Sequence, residues 1–246
     1  LEPGMGGMAS RAASGHQASH AFLLHLAPLG GRVFDDQWEP IVNNEAGVAA
    51  ANALKTIIDC GVEGSETFGP AEAAASFAQG QSAMFLDSIA FAAGFEDESR
   101  SRVAGNVGWA LHPMGVRRGS QTGGFGIGIP KNAQNKEAAF LLMQWLTSKK
   151  GDLMVAMAGG NPSRFSTYEN AELNAKYPYS ATFGEALKYA DPDWRPIIPT
   201  WGKINADIGT SLSKVLTEGA DIQETLDGVA ERARAIMDEA GYYTWN

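Results

Sequence analysis

The chain has 246 residues, a 44% hydrophobic content and a formal charge of −9, which allows one large or two small domains with a buried core. An acidic balance with no cationic cluster larger than Arg117-Arg118 excludes a nucleic-acid surface, which needs grouped Lys and Arg to displace counterions. No run approaches the roughly 18 apolar residues of a membrane span, and the single Cys60 excludes an internal disulfide.

Residues 1–9 lack periodicity and read as a flexible leader or artificial remnant; the match of Gly4, Gly6 and Ala9 to a dinucleotide fingerprint has no strand before it. Apolar spacing predicts a helix over 17–29 and a second from the cap Asn44 to Gly61. Phe77 to Ser88 is the most informative stretch. A helix over 71–79 is stopped by Gly80, and an apolar strand over 82–87 follows, ending in Asp87 and Ser88. Open α/β sheets hold ligands at the carboxyl ends of strands, so this pair is a candidate site; both residues also suit a cap for the short helix that follows. Alternation predicts strands over 107–111 and 125–129. Helices are then predicted over 135–149, 151–158, 168–176, 180–190, 200–217 and 221–240. The last is the clearest, with Ile222, Leu226, Val229, Ala233, Ile236 and Ala240 on one face.

Gly30-Gly31 before Phe34-Asp35-Asp36, the 77–88 stretch, Val107-Gly108-Trp109, Gly123-Gly124, Pro130-Lys131-Asn132 and Asn135 to Ala139 occur in an order that resembles the solute-binding proteins of ABC sugar importers, the maltose-binding group. The resemblance runs from about Ser14 to the last helix. It implies an α/β, type II periplasmic-binding-protein-like fold with 10–122 and 178–246 in a helix-rich carboxyl-terminal lobe. Residues 123–177 would be a segment returning to the amino-terminal lobe, most of which would be absent. It implies a sugar or polyol ligand held between lobes, no cofactor, a membrane permease as partner, no enzymatic activity, and a periplasmic or externally anchored location. A chain lacking most of one lobe is expected to bind weakly. The helix carrying Phe140, Leu141, Trp145 and Leu146 would then need a second chain or new packing to cover it.

The resemblance implies ligand contacts from His16, Gln17 and His20 before the glycine pair, from Asp87, Ser88 and Phe91 at the strand tip, and from Gly124 and Phe125 at the return. Ala90 stands where the maltose-binding group presents Trp, which implies a smaller or differently placed ligand. Asn161 and Arg164 lie in a stretch similar to the family's Gly-x-x-Pro-x-Arg loop, and Trp201 and Asn205 lie one turn apart at a helix start. Each has a plainer reading: Arg164 as a loop clamp, Trp201 as core. His16 and His20 also have the spacing of two metal ligands, but no third or fourth is evident. Asp35-Asp36 and Asp191-Pro192-Asp193 leave open a carbohydrate hydrolase using an acid pair, and an assembly module is a further alternative.

Overall fold

The computed structural model describes residues 4–124 and 126–244. In chain order the elements are β1 (Gly6–Ala9), α1 (His16–Leu26), α2 (Glu45–Asp59), α3 (Pro70–Ala78), β2 (Ser82–Phe85), α4 (Ala92–Phe95), β3 (Ser120–Gln121), α5 (Lys136–Leu146), α6 (Lys149–Met157), α7 (Phe165–Tyr168), α8 (Ala171–Lys176), α9 (Tyr179–Ala186), β4 (Ala190–Asp191), α10 (Trp201–Glu218) and α11 (Ile222–Glu239). Short 3-10 turns precede α3, lead into α4 and follow α9.

The core lies between α1, α2, α10 and α11. Phe22, Leu54, Ile204, Ile208, Leu212, Leu226, Val229 and Met237 are almost wholly buried there, each from the apolar stripe of its helix. Local chemistry sets the helix ends. Asn44 accepts from the Gly47 amide and Asp221 from the Glu224 amide, while Gly80 and Gly219 take the left-handed conformation that ends α3 and α10. The start of α1 is pressed against α10 at Gly209, where a methyl group would meet the Gly15 carbonyl oxygen at 1.6 Å.

Two predicted features are corrected. The stretch expected to be a leader contains β1, which pairs in parallel with β2 in the register Gly6↔Ser82, Met8↔Met84 and Ala9↔Phe85. Its glycines hide a strand pattern because they serve close packing: a side chain at Gly6 would meet the Val62 amide nitrogen at 2.5 Å. Conversely, residues 107–111 and 126–129 are not strands, and Phe125 lies outside the described residues. Alternation supplies two faces, but a strand also needs a partner for its backbone groups, and no described strand pairs with either segment. The other described sheet is the parallel pair β3 and β4, joining Ser120 to Ala190 and Gln121 to Asp191.

Several predicted helices are shorter or divided. The 168–176 helix is split into α7 and α8 by the cap Asn170, and the 135–149 helix ends at Leu146 before Ser148 caps α6. A run of aromatic contacts, Phe77 to Phe95 to Trp109 to Tyr179, ties α3 and α4 to α9, against which α7 and α8 pack. By contrast, α5 has no buried residue. Phe140, Leu141 and Leu142 are 57%, 62% and 56% exposed. Among the described residues no helix is long and apolar enough to cross a membrane.

Candidate functional site

The parallel register of β1 and β2 decides what stands at their carboxyl ends. Beyond the last paired residues, Leu86 donates its amide to the Ala9 carbonyl and Ser10 donates its hydroxyl to the Leu86 carbonyl. Arg11 and Asp87, each two residues past the pair Ala9↔Phe85, are thereby placed side by side. The Arg11 guanidinium donates through Nε to Asp87 Oδ2 at 2.6 Å and through its second edge nitrogen to Oδ1, while its third nitrogen donates to Gln17 Oε1 at 2.9 Å. The Asp87 side chain is 1% exposed and that of Arg11 10%, so the two charges cancel in a dry setting.

Next to this pair, the first turn of α1 meets α10. Ser19 donates to Asn205 Oδ1 at 2.8 Å, which orients the amide so that Nδ2 faces His16 Nδ1, also at 2.8 Å. His16 therefore accepts at Nδ1 and keeps its proton on Nε2, a tautomer inferred from the hydrogen-bond network. Burial, followed by the Arg195 and Arg11 charges, lowers its pKa. His20 stands one turn on, its ring 6.0 Å from that of His16 and edge-on to Trp194 at 5.1 Å. Burial and the nearby Arg11 charge hold its pKa down at about 4. Arg195 lies over the Trp194 ring with its guanidinium carbon 4.1 Å from the centroid.

Arg11, His16, Gln17, His20, Asp87 and Asn205 thus form one polar face, bordered by Trp194 and Arg195. Its ionic pair is internally neutral and its imidazoles are uncharged near neutrality. Such a face offers directional donors and acceptors to hydroxyl groups.

Other predicted site residues stand differently. Ser88 is exposed and its hydroxyl accepts from the Ala90 amide, which makes it the cap of the turn that follows. Phe91 meets Phe85 edge-on at 6.0 Å. Trp201 packs against the helix core, the plainer of its two readings. Arg164 donates to the Thr147 carbonyl, at 2.9 Å through Nε, and so clamps the 147–164 loop. Asn161 borders a small hollow of about 10 Å³ with Pro162, Tyr168 and Tyr177, and Gly124 is exposed with open space around it. No observed hydrogen bond links Asn161 or Arg164 to the polar face. Among the described residues no cluster of three or more His, Cys, Asp or Glu side chains could hold a metal ion.

Three residues of the polar face and its border escape a sequence reading. Arg11 adjoins the strand hidden by its glycines, and its pairing with Asp87 needs the register. Trp194 and Arg195 sit in a proline-rich turn whose only signal is the adjacency of an indole and a guanidinium. An open groove of about 590 Å³ is lined by Trp194 and lies between residues 31–38 and 191–197.

A model of the bacterial extracellular solute-binding proteins matches residues 2–152. A mannitol-binding protein of Pseudomonas aeruginosa is 28% identical over 98% of the chain and 60% of its own length. A probable amino-acid ABC transporter periplasmic-binding protein of Sinorhizobium fredii is 28% identical over 97% and 54%. Among solved structures, an ABC transporter solute-binding protein of Agrobacterium radiobacter K84 in complex with ribitol superposes with a TM-score of 0.83 at 26% identity, covering 94% of this chain and 60% of the other. Maltose-bound MalE3 of T. maritima gives 0.85 at 25%, covering 95% and 61%. The chain therefore spans about 60% of the length of the mannitol-binding relative.

Proposed function

Since the chain belongs to the bacterial extracellular solute-binding proteins, we propose that it forms one wall of a sugar- or polyol-binding cleft in the substrate-binding component of an ABC importer. The observation that carries this reading is the convergence of Gln17, His16, His20 and Asn205 around the neutralised Arg11–Asp87 pair. An uncharged ligand rich in hydroxyls suits such a wall, because each hydroxyl both donates and accepts. The relatives that name mannitol, ribitol and maltose point to the same ligand class. Gln17 Nε2 and the His20 ring are the groups that reach the ligand; Arg11 and Asn205 are positioning residues that hold Gln17 and His16.

In this reading a second lobe closes over the polar face, the closed form docks on a membrane permease, and the protein works in the periplasm or at the outer surface. The apolar face of α5 receives a second lobe or chain. A single wall supplies only part of the contacts, so this chain binds its ligand weakly. Ligand-detected saturation-transfer NMR suits weak binding. With ribitol, the 246-residue chain gives a saturation signal that falls strongly in Gln17→Ala and His20→Ala. Equal signals from the parent and both variants would contradict the assignment. The relatives are named for binding rather than for a reaction, and the acid-pair hydrolase gains nothing from the geometry. Asp35 Oδ1 accepts from the Gln37 and Glu39 amides and so shapes a turn.

A further inference from the structure

The groove of about 590 Å³ lined by Trp194 has none of His16, Gln17, His20, Asp87 or Asn205 in its wall. One side carries Trp38, the only non-glycine residue with positive φ among those described, at +64°. Glycine or asparagine would satisfy such a turn more easily, so the indole is held there against local preference. The turn is fixed from several directions: the Trp38 amide donates to the Asp35 carbonyl, and its carbonyl accepts from the Tyr243 hydroxyl at 2.8 Å. Phe34 and Tyr242 flank the ring at 5.8 and 5.9 Å, yet the residue remains 38% exposed.

The same groove is lined by Arg195, whose guanidinium carbon lies 4.1 Å from the Trp194 ring centroid and which makes no hydrogen bond or ion pair with another described residue. Asp193 beside it has a carboxylate that is likewise without a side-chain partner among the described residues. The groove is therefore built from an exposed aromatic face, an uncommitted five-donor fork and an uncommitted acceptor. Its charged groups are nearly balanced, with one acid in excess. Asp35, Asp36, Asp191 and Asp193 outnumber Arg32, Arg117 and Arg195, which disfavours phosphates and carboxylates. The CH face of a sugar ring matches an indole, and hydroxyls match the polar groups that line the same groove.

We propose that this groove is a second saccharide site, bordering the polar face at Trp194 and Arg195, in which a neutral pyranose ring stacks on Trp38 and its hydroxyls hydrogen-bond to Arg195 and Asp193. An acyclic polyol lacks the preformed ring face and is not held there.

The test is saturation-transfer NMR on the 246-residue chain with methyl α-D-glucopyranoside, and with ribitol in parallel. Trp38→Gly removes the ring at a backbone position that suits glycine, so the turn is kept. Its expected effect is a pyranoside signal reduced about fivefold, as for the loss of one aromatic contact, with the ribitol signal unchanged. Gln17→Ala has the reverse pattern. Asp193→Asn, an exposed and isosteric change, weakens the pyranoside signal without involving the turn. Absence of a pyranoside signal from the parent chain would overturn the proposal. So would undiminished signals in both Asp193→Asn and a folded Trp38→Gly, whatever ribitol does. A ribitol failure alone would bear on the polar face and leave the groove standing.

Discussion

Arg11 and Asp87 illustrate how much depends on a single pair. With Asp87 almost fully enclosed, Arg11→Ala leaves a buried carboxylate without its counter-charge, a change that typically costs about 3–5 kcal/mol. Replacing both together, Arg11→Met with Asp87→Leu, removes the charges along with their desolvation cost and is expected to be far less destabilising than the single change. Chemical denaturation of the three variants checks this; equal losses in single and double variants would contradict it. Asn205 has a different weight. Asn205→Ala strands the buried Ser19 hydroxyl and releases His16, at about 1–3 kcal/mol. The loss of the donor to His16 Nδ1 should show as a shift of the His16 imidazole resonances in NMR.

The histidines also set a pH dependence. Burial first, then the Arg11 charge for His20 and the His112 ring for His25, hold both at about 4, against 6.5 for a free side chain. The unfolded chain therefore binds more protons than the folded one between these values. Stability from these two groups is complete above pH 6.5 and is lost as the pH falls towards 4. Denaturation midpoints measured between pH 7.5 and 4.5 should hold level down to about pH 6.5 and then fall, with a shallower slope in His25→Gln. A flat profile would contradict the burial of these rings.

Among the elements, the contact between α1 and α10 positions the polar face. Gly209 allows it, since any side chain there meets the Gly15 carbonyl oxygen. Gly209→Ala should cost about 1–3 kcal/mol, as overpacking does, and should break the Asn205–His16 hydrogen bond by displacing the start of α1. A wild-type thermal midpoint and unchanged His16 imidazole resonances would refute this. Helices with strong apolar stripes and caps, above all α2 and α11, were legible from spacing because their burial and local chemistry agree. β1 was not legible, because its glycines answer to the neighbouring Cys60–Val62 backbone rather than to a core. The 107–111 strand misled for the opposite reason, having the right pattern without a pairing strand. Of the candidate site, His16, Gln17, His20, Asp87 and Asn205 could be singled out as polar groups at helix starts and a strand tip. Their connection through Arg11 depends on register, which composition does not carry.

At the scale of the molecule, the α1–α2–α10–α11 core is well enclosed while α5 leaves Phe140, Leu141, Leu142 and Trp145 in water. Burying a side chain of this size is worth about 1.5–3 kcal/mol, so the face should self-associate or bind an apolar dye. Light scattering against concentration should show mass growth that Phe140→Ser with Leu141→Gln suppresses. A monomer without dye binding at every concentration would count against an uncovered α5. The central claim, that the face around Arg11 and Asp87 is the ligand wall, is tested most directly by following the imidazole resonances of His16 and His20 and the indole NH of Trp194 during a ribitol titration. The account predicts saturable shifts of these signals, with the indole NH of Trp145 unmoved. Shifts confined to other residues, with His16, His20 and Trp194 unaffected at saturating ribitol, would contradict it.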